Sequence, residues 1–391
     1  MIPVWLGGLG AVFGAIILWL SLPKSHPRRN LWSGAGAISG VIGALLFMLP
    51  LKFCPFDAER PLAQGVLGMG LVALGMFITI MSVRWLAIHG WKGLSAEAQT
   101  QGLFPNPWLP WVLLAPTLLV LVLFLYYPFL DTFRLSTLLA SRTVSRDVCL
   151  QNFTNLATDT AYLNSVTRTF IFAGSILAGS LALGLGIALL AFQPVRGASI
   201  YRTLLIWPYA ISPVVAGVIF RLMFNPNGGI INYITLQFFD TRLDWLSSPR
   251  LASVVVIMAS IWTQVGFNVL FYLAGLQNVP KDLLEAANID GAGTFQRFYY
   301  VLLPLLSPIT FFLIITNLTF SFFGIFGTID YLTEGGPLNA TTVMIYNVFD
   351  TQRQNLGLGK AAAQSIILFY VVVALTYIQF RTTERNVNYG G

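Results

Sequence analysis

Nine runs of about 20 mostly apolar residues constrain this chain more than any other feature. They occupy residues 2–20, 31–50, 65–88, 108–128, 164–192, 203–224, 251–276, 305–326 and 361–380. At 1.5 Å per residue, about 20 residues cross a hydrocarbon core about 30 Å thick. The charge content agrees: Asp, Glu, Lys and Arg make up 9% of the 391 residues, against about 25% in an average globular domain. So little charge cannot cover a soluble fold, which excludes soluble enzymes and nucleic-acid binders. Transmembrane barrels show weak ten-residue alternation, not solid apolar runs. The expected fold is therefore an all-α polytopic membrane protein with about nine transmembrane helices, its partner the lipid bilayer and no nucleic acid.

The short loops set an orientation. Residues 23–30 carry Lys24, Arg28 and Arg29 with no acid, which places that loop in the cytoplasm. Alternation then puts the N-terminus outside and the C-terminus, with Arg381 and Arg385, inside. A cleavable signal peptide is the other reading of residues 1–22. No basic residue precedes the first run and the basic cluster follows it, so the flanks favour a retained helix. Residues 89–107 form a polar linker containing Pro and Gly. It divides an accessory region, 1–107, from a six-span core, 108–391. The accessory spans are rich in Gly and Ala, which permits close helix packing. Cys54 and Cys149 fall in loops on the same outer side, where an oxidising compartment permits a bond between them. With two cysteines and two histidines, all separated in sequence, there is no metal-ligand spacing.

All fifteen carboxylates fall in loops under this assignment. Proton-driven carriers usually keep an ionisable group inside the membrane, so an ion-coupled carrier is disfavoured. No G-x-x-x-x-G-K-[ST] is present, so the chain has no P-loop for ATP. Energy for uphill transport must enter from another subunit docked on a cytoplasmic loop.

One loop suits that docking. Residues 278–308 read NVPKDLLEAANIDGAGTFQRFYYVLLPLLSP. Pro280 fits the first turn of a helix, and Asp282 and Glu285 complement the positive end of its dipole. Leu283, Leu284, Ala286 and Ala287 give it a low apolar surface. Gly291, after Asp290, can take the left-handed conformation that stops it. A second amphipathic piece leads to Leu303-Pro304 at the mouth of the next span. The spacing Glu285-Ala286-Ala287, Gly291, Val301, Leu303-Pro304 resembles the EAA loop of ABC-importer permeases. Trp207-Pro208-Tyr209, Pro213, Phe224-Asn225-Pro226 and Thr333-Glu334-Gly335-Gly336-Pro337 resemble the carbohydrate-uptake branch, the maltose and glycerol-3-phosphate permeases.

The resemblance covers residues 108–391 and implies a type I importer permease core in a bacterial cytoplasmic (inner) membrane. It implies four partners: a second homologous permease, two cytoplasmic ABC ATPase subunits and an extracytoplasmic solute-binding protein. ATP and Mg would be held by the ATPases, leaving this chain with no cofactor and no covalent chemistry. The elbow at 278–304 would couple the two. Its expected coupling residues are Asp282, Glu285, Ala286, Ala287, Asp290, Gly291, Leu303 and Pro304.

A solute path is expected on the seventh and eighth spans. Ser260, Gln264, Asn268 and Tyr272 recur at four-residue steps, one polar stripe on a helix, flanked by Trp262, Thr263 and Phe267. Asn317 and Ser321, also four apart, stand beside Phe322. Hydroxyls and amides among aromatic rings suit a sugar, polyol, sugar phosphate or osmolyte glycoside. The same groups equally serve hydrogen bonds between packed helices. Arg221 suits a phosphate by its forked geometry, or snorkels to the interface from the end of its span. Two rivals stand beside the importer. A membrane enzyme would need a carboxylate or histidine cluster, and a stand-alone channel would have no use for the elbow.

Overall fold

The structure, a computed structural model, describes residues 2–21, 29–48, 62–85, 109–140, 145–193, 197–354 and 357–383. Seven of the nine apolar runs form a single helix over their described residues; the eighth begins with a turn at Leu306, and the sixth is bent. The chain forms two compact units, Met1–Leu156 with Thr351–Ile366, and Ala157–Asp350 with Ile367–Gly391. The linker 89–107 lies outside the described residues, and so does Cys54.

The first unit holds α1 (Ile2–Ser21), α2 (Arg29–Met48) and α3 (Leu62–Trp85). Glycines let their backbones touch: a Cβ on Gly14 would fall onto the Gly36 carbonyl, and one on Gly40 onto that of Gly10. Thr79 Oγ1 ties α3 to α2 by donating to the Ser39 carbonyl at 2.9 Å. Helix α4 begins at Leu109–Leu121, passes through a π-turn at Val122–Tyr126 and ends as Tyr127–Ser136. The π-turn slips the register so that the Tyr127 N–H reaches the Val122 carbonyl. Pro128 therefore enters without stopping the helix, which overruns its expected end by eight residues. A hairpin of β1 (Leu138–Ala140) and β2 (Ser145–Asp147) follows, with Leu139 opposite Arg146. Asn152 of α5 (Gln151–Thr158) closes it, donating to the Ser136 and Leu138 carbonyls at 2.8 and 3.0 Å. Cys149, buried between hairpin and α5, is disulfide-bonded.

The second unit is the helical core. Helix α6 (Thr160–Phe192) is capped by Asp159, whose Oδ1 accepts from the Ala161 and Tyr162 N–H groups. The sixth run is not one helix. It comprises α7 (Ala198–Ile206), a 3₁₀ turn (Trp207–Ala210) and α8 (Pro213–Met223), with a bend of 98° between its halves. Proline is the cause. Pro208 and Pro213 supply no N–H, and Ser212 before Pro213 is pushed to an extended conformation with ψ 149. Helix α9 (Ile230–Phe239) is short and apolar, and α10 (Pro249–Gln277) is 29 residues long. The elbow contains α11 (Lys281–Ile289) and α12 (Thr294–Arg297). Helix α13 (Ser307–Leu332) carries a π-turn at Phe320–Gly324. Last come α14 (Met344–Arg353), which begins in this unit, and α15 (Leu358–Thr383).

Five helices are long and apolar enough to span a bilayer and the bent pair makes a sixth among the described residues; with α1, α2 and α3 the expected count of about nine stands. One expectation changes. Because α4 and α13 overrun their expected ends, Asp131 and Asp330 lie in helices and not in loops.

The core of this unit is layered. One apolar cluster gathers Phe172 and Ile176 of α6, Val255 and Ala259 of α10, and Ile325 and Ile329 of α13. A second, nearer the elbow, gathers Ala188, Val269, Tyr272, Leu276, Leu306 and Leu313. Ser180 of α6, Ser260, Thr263, Gln264 and Asn268 of α10, and Asn317 and Ser321 of α13 fall between the two.

Candidate functional site

The elbow is built as its sequence requires. Pro280 stands at the cap of α11, one residue ahead of the helix. At the other end the Gly291 N–H donates to the Asn288 carbonyl at 3.1 Å and the Ala292 N–H to that of Ala287 at 2.9 Å. With Gly291 at φ 76, this is a Schellman stop. A Cβ at Gly291 would meet nothing within 4 Å, so the demand for glycine there is conformational. The Gly293 N–H is then taken up by Gln296 Oε1 at 2.9 Å. Asp282, Glu285, Ala286, Asp290, Gly291 and Pro304 are exposed, while Ala287 and Leu303 are half-buried. Beside them Ile289 is 86% exposed and Phe295 77%, with Phe295 stacked on Tyr299. The elbow thus joins the end of α10 to the start of α13 and presents small, apolar and acidic groups outward.

The polar residues of α10 and α13 face each other inside the core. Ser260, Thr263, Gln264, Asn268, Asn317, Ser321 and Phe322 are all buried, and Phe267 is half-buried. Asn317 Nδ2 donates to Asn268 Oδ1 at 2.7 Å and to the Leu313 carbonyl at 2.7 Å. Asn268 Nδ2 and Ser180 Oγ donate to Asn317 Oδ1 at 3.3 and 3.0 Å. Ser260, Thr263 and Ser321 return their hydroxyls to carbonyls of their own helices. The Tyr272 hydroxyl bonds to Thr310. Most of the stripe is therefore engaged within the chain. Gln264 differs: its side chain is 6% exposed and has no hydrogen-bond partner among the described residues.

Sequence reasoning missed the third member of this network, Ser180, and the reason α6 comes so close. A Cβ at Gly184 would lie 2.5 Å from Asn268 Cβ, so only glycine fits. The available signal was a Ser-x-x-x-Gly pair inside an apolar run.

The bend of the sixth span adds an aromatic wall. A Cβ at Gly266 would lie 2.8 Å from the Ile206 carbonyl, so the 3₁₀ turn rests directly on α10. Tyr209 thereby meets Phe267 at 5.0 Å between ring centres. Phe271 joins Phe267 at 4.7 Å and Phe312 at 4.9 Å.

Beyond α13 the loop 333–342 is locked by threonines. Thr333 Oγ1 and Thr341 Oγ1 lie 2.7 Å apart, and Thr342 Oγ1 donates to the Gly335 carbonyl at 3.0 Å. Arg221 reaches Glu334 of this loop. No cluster of three His, Cys, Asp or Glu suited to a metal occurs among the described residues.

Residues 180–388 match the family described as binding-protein-dependent transport system inner membrane component. The sn-glycerol-3-phosphate transport system permease protein UgpA of Agrobacterium fabrum is 43% identical over 289 residues, 73% of this chain and 98% of that protein. UgpA of Rhizobium meliloti is 41% identical, again over 73% and 98%. UgpA of Escherichia coli O157:H7 is 38% identical over 75% and 99%. Among solved structures, a chain of the bacterial alginate ABC transporter, in complex with its alginate pentasaccharide-bound periplasmic protein, has the same fold. Its TM-score is 0.64 at 21% identity, covering 73% of this chain and 96% of that one. Matched over more than half its length, and to relatives it covers almost end to end, the chain belongs to the binding-protein-dependent inner-membrane transport components: it is an integral-membrane permease subunit of an ABC importer, a transport subunit and not an enzyme.

Proposed function

We propose that this permease imports a phosphorylated polyol, with sn-glycerol 3-phosphate the first candidate. The chain pairs with a second, homologous permease. Two cytoplasmic ATPase subunits bind ATP and Mg, and an extracytoplasmic binding protein delivers the solute. The N-terminus is outside and the C-terminus inside, so the elbow faces the cytoplasm. Residues 1–107 form an accessory region beside the 108–391 core.

The observation that carries this reading is the elbow itself. It is a rigid, Schellman-stopped helix with an exposed apolar and acidic surface. It connects the two helices, α10 and α13, that hold the polar layer, through three non-helical residues on one side and a turn at Leu306 on the other. A push on Ala286 and Ala287 is therefore delivered straight to Asn268 and Asn317. The solute path runs beside that layer, along Ser260, Thr263, Gln264, Phe267, Asn268, Asn317, Ser321 and Phe322. Gln264 and the rings of Phe267, Phe271 and Phe312 supply its open groups. A polyol fits them, since hydroxyls both donate and accept while C–H faces pack on rings. The phosphate is supported by the identity to the UgpA proteins.

The test is ATP-dependent uptake into proteoliposomes holding the four-subunit importer, with its binding protein supplied. Labelled sn-glycerol 3-phosphate should accumulate, and a neutral disaccharide should not. The reverse order would overturn the solute assignment while leaving the importer intact.

A further inference from the structure

Arg221 and Glu334 meet at the end of the core remote from the elbow. Helix α13 runs from the elbow at Ser307 to Leu332, 26 residues, so Glu334 lies about 39 Å from that side at 1.5 Å per residue. Arg221, in the last turn of α8, donates from Nη1 to Glu334 Oε1 at 2.9 Å and to the Tyr331 carbonyl at 3.4 Å. The two side chains are 52% and 63% exposed. An ion pair so open to water contributes little to stability, and separating it costs little.

Neither partner depends on the other for its place. Glu334 sits at φ 53 in a loop already fixed by Thr333, Thr341 and Thr342. The Tyr331 carbonyl is a second acceptor for the guanidinium, at 3.4 Å. Arg168 braces the other limb of the loop, donating to the Asn339 carbonyl at 2.5 Å. The arrangement is a fixed guanidinium carrying a removable carboxylate.

We infer that Arg221 is the receiving site for the solute's phosphate at the extracytoplasmic mouth, and that the Glu334 carboxylate occupies it between solutes. The inference rests on the reading of the solute as an organophosphate. A guanidinium fork offers two parallel N–H bonds to carboxylate or phosphate oxygens, and Glu334 takes one. A phosphate monoester carries more than one negative charge at neutral pH and three oxygens, so it displaces a single carboxylate.

The test uses the complete importer in proteoliposomes, labelled sn-glycerol 3-phosphate as solute and inorganic phosphate as competing probe. Glu334→Gln removes the competing negative charge from the fork, and half-inhibition by inorganic phosphate should fall about fivefold to tenfold in concentration. Arg221→Gln should lower uptake about tenfold, the loss of one charge-assisted contact, and abolish the phosphate effect. Arg221→Lys, a point charge without a fork, should fall between. Co-purification of the ATPase should be unchanged in all three. Equal losses of uptake in Glu334→Gln and Arg221→Gln would mean that the pair only supports the loop, and would overturn the inference. So would wild-type uptake and phosphate sensitivity in both. A wild-type importer that ignores sn-glycerol 3-phosphate would overturn the solute reading and this inference with it.

Discussion

Asn268 and Asn317 show what a buried amide does inside a membrane core. Each is fully buried, and each satisfies the other across two helices, with Ser180 completing the acceptor. Interhelical bonds of this kind are worth about 0.6 to 2 kcal/mol. Asn317→Leu should therefore lower the unfolding midpoint of the detergent-solubilised protein, because it leaves Asn268 buried and unpaired. Asn268→Leu with Asn317→Leu should cost less than the two single changes summed, since no orphan remains. Gln264→Ala should leave that midpoint near wild type and instead reduce uptake several-fold. An additive double variant, or a Gln264→Ala importer with full uptake, would reverse these roles. The sequence displayed the four-residue polar stripe plainly, and it could not say which members were engaged. That depends on Ser180 and on the glycine approach at 184, both contributed by a distant helix.

At the scale of elements, the long apolar runs were legible because nothing but a membrane helix satisfies 20 apolar residues in lipid. The bend in the sixth span was not. Its two prolines were visible, yet proline is tolerated in spanning helices when neighbours satisfy the freed backbone groups. What decides for a bend is Gly266 of α10, which lets the 3₁₀ turn settle on that helix. Gly266→Leu should lift Tyr209 from Phe267 and separate the bent span from α10. The expected outcome is a several-degree loss in thermal midpoint with weaker uptake, measured on the assembled importer. Unchanged values for both would show that the contact is incidental. The overruns of α4 and α13 were equally hidden, because a π-turn leaves no residue signature of its own and yet carries each helix past its expected end. The elbow, by contrast, was legible almost residue by residue. A glycine stop, small residues and an acid in the first helical turn are local demands that tertiary packing does not override.

For the whole molecule, the outer side and the coupling side must lie at opposite ends of the same helices. Cys149 is buried and disulfide-bonded, which fits an oxidising compartment. Membrane-impermeant maleimide applied from outside should label Cys149 only after reduction and mild denaturation. Labelling from the cytoplasmic side would invert the topology. Helices α1, α2 and α3 were the least legible part: their packing glycines explain how three helices associate and do not indicate a partner. The central claim is that the elbow transmits ATP hydrolysis to the core. The measurement that tests it most directly is solute taken up per ATP hydrolysed, made on the reconstituted importer carrying Gly291→Val or Ala287→Trp. A side chain at φ 76 costs about 1 to 2 kcal/mol, and open space around Gly291 leaves that strain as the sole effect. Tryptophan at 287 instead holds the ATPase surface away. The account predicts a permease that inserts and pairs normally, with its ATPase retained poorly or hydrolysing without uptake. Wild-type uptake per ATP in both variants, with the ATPase fully retained, would contradict it.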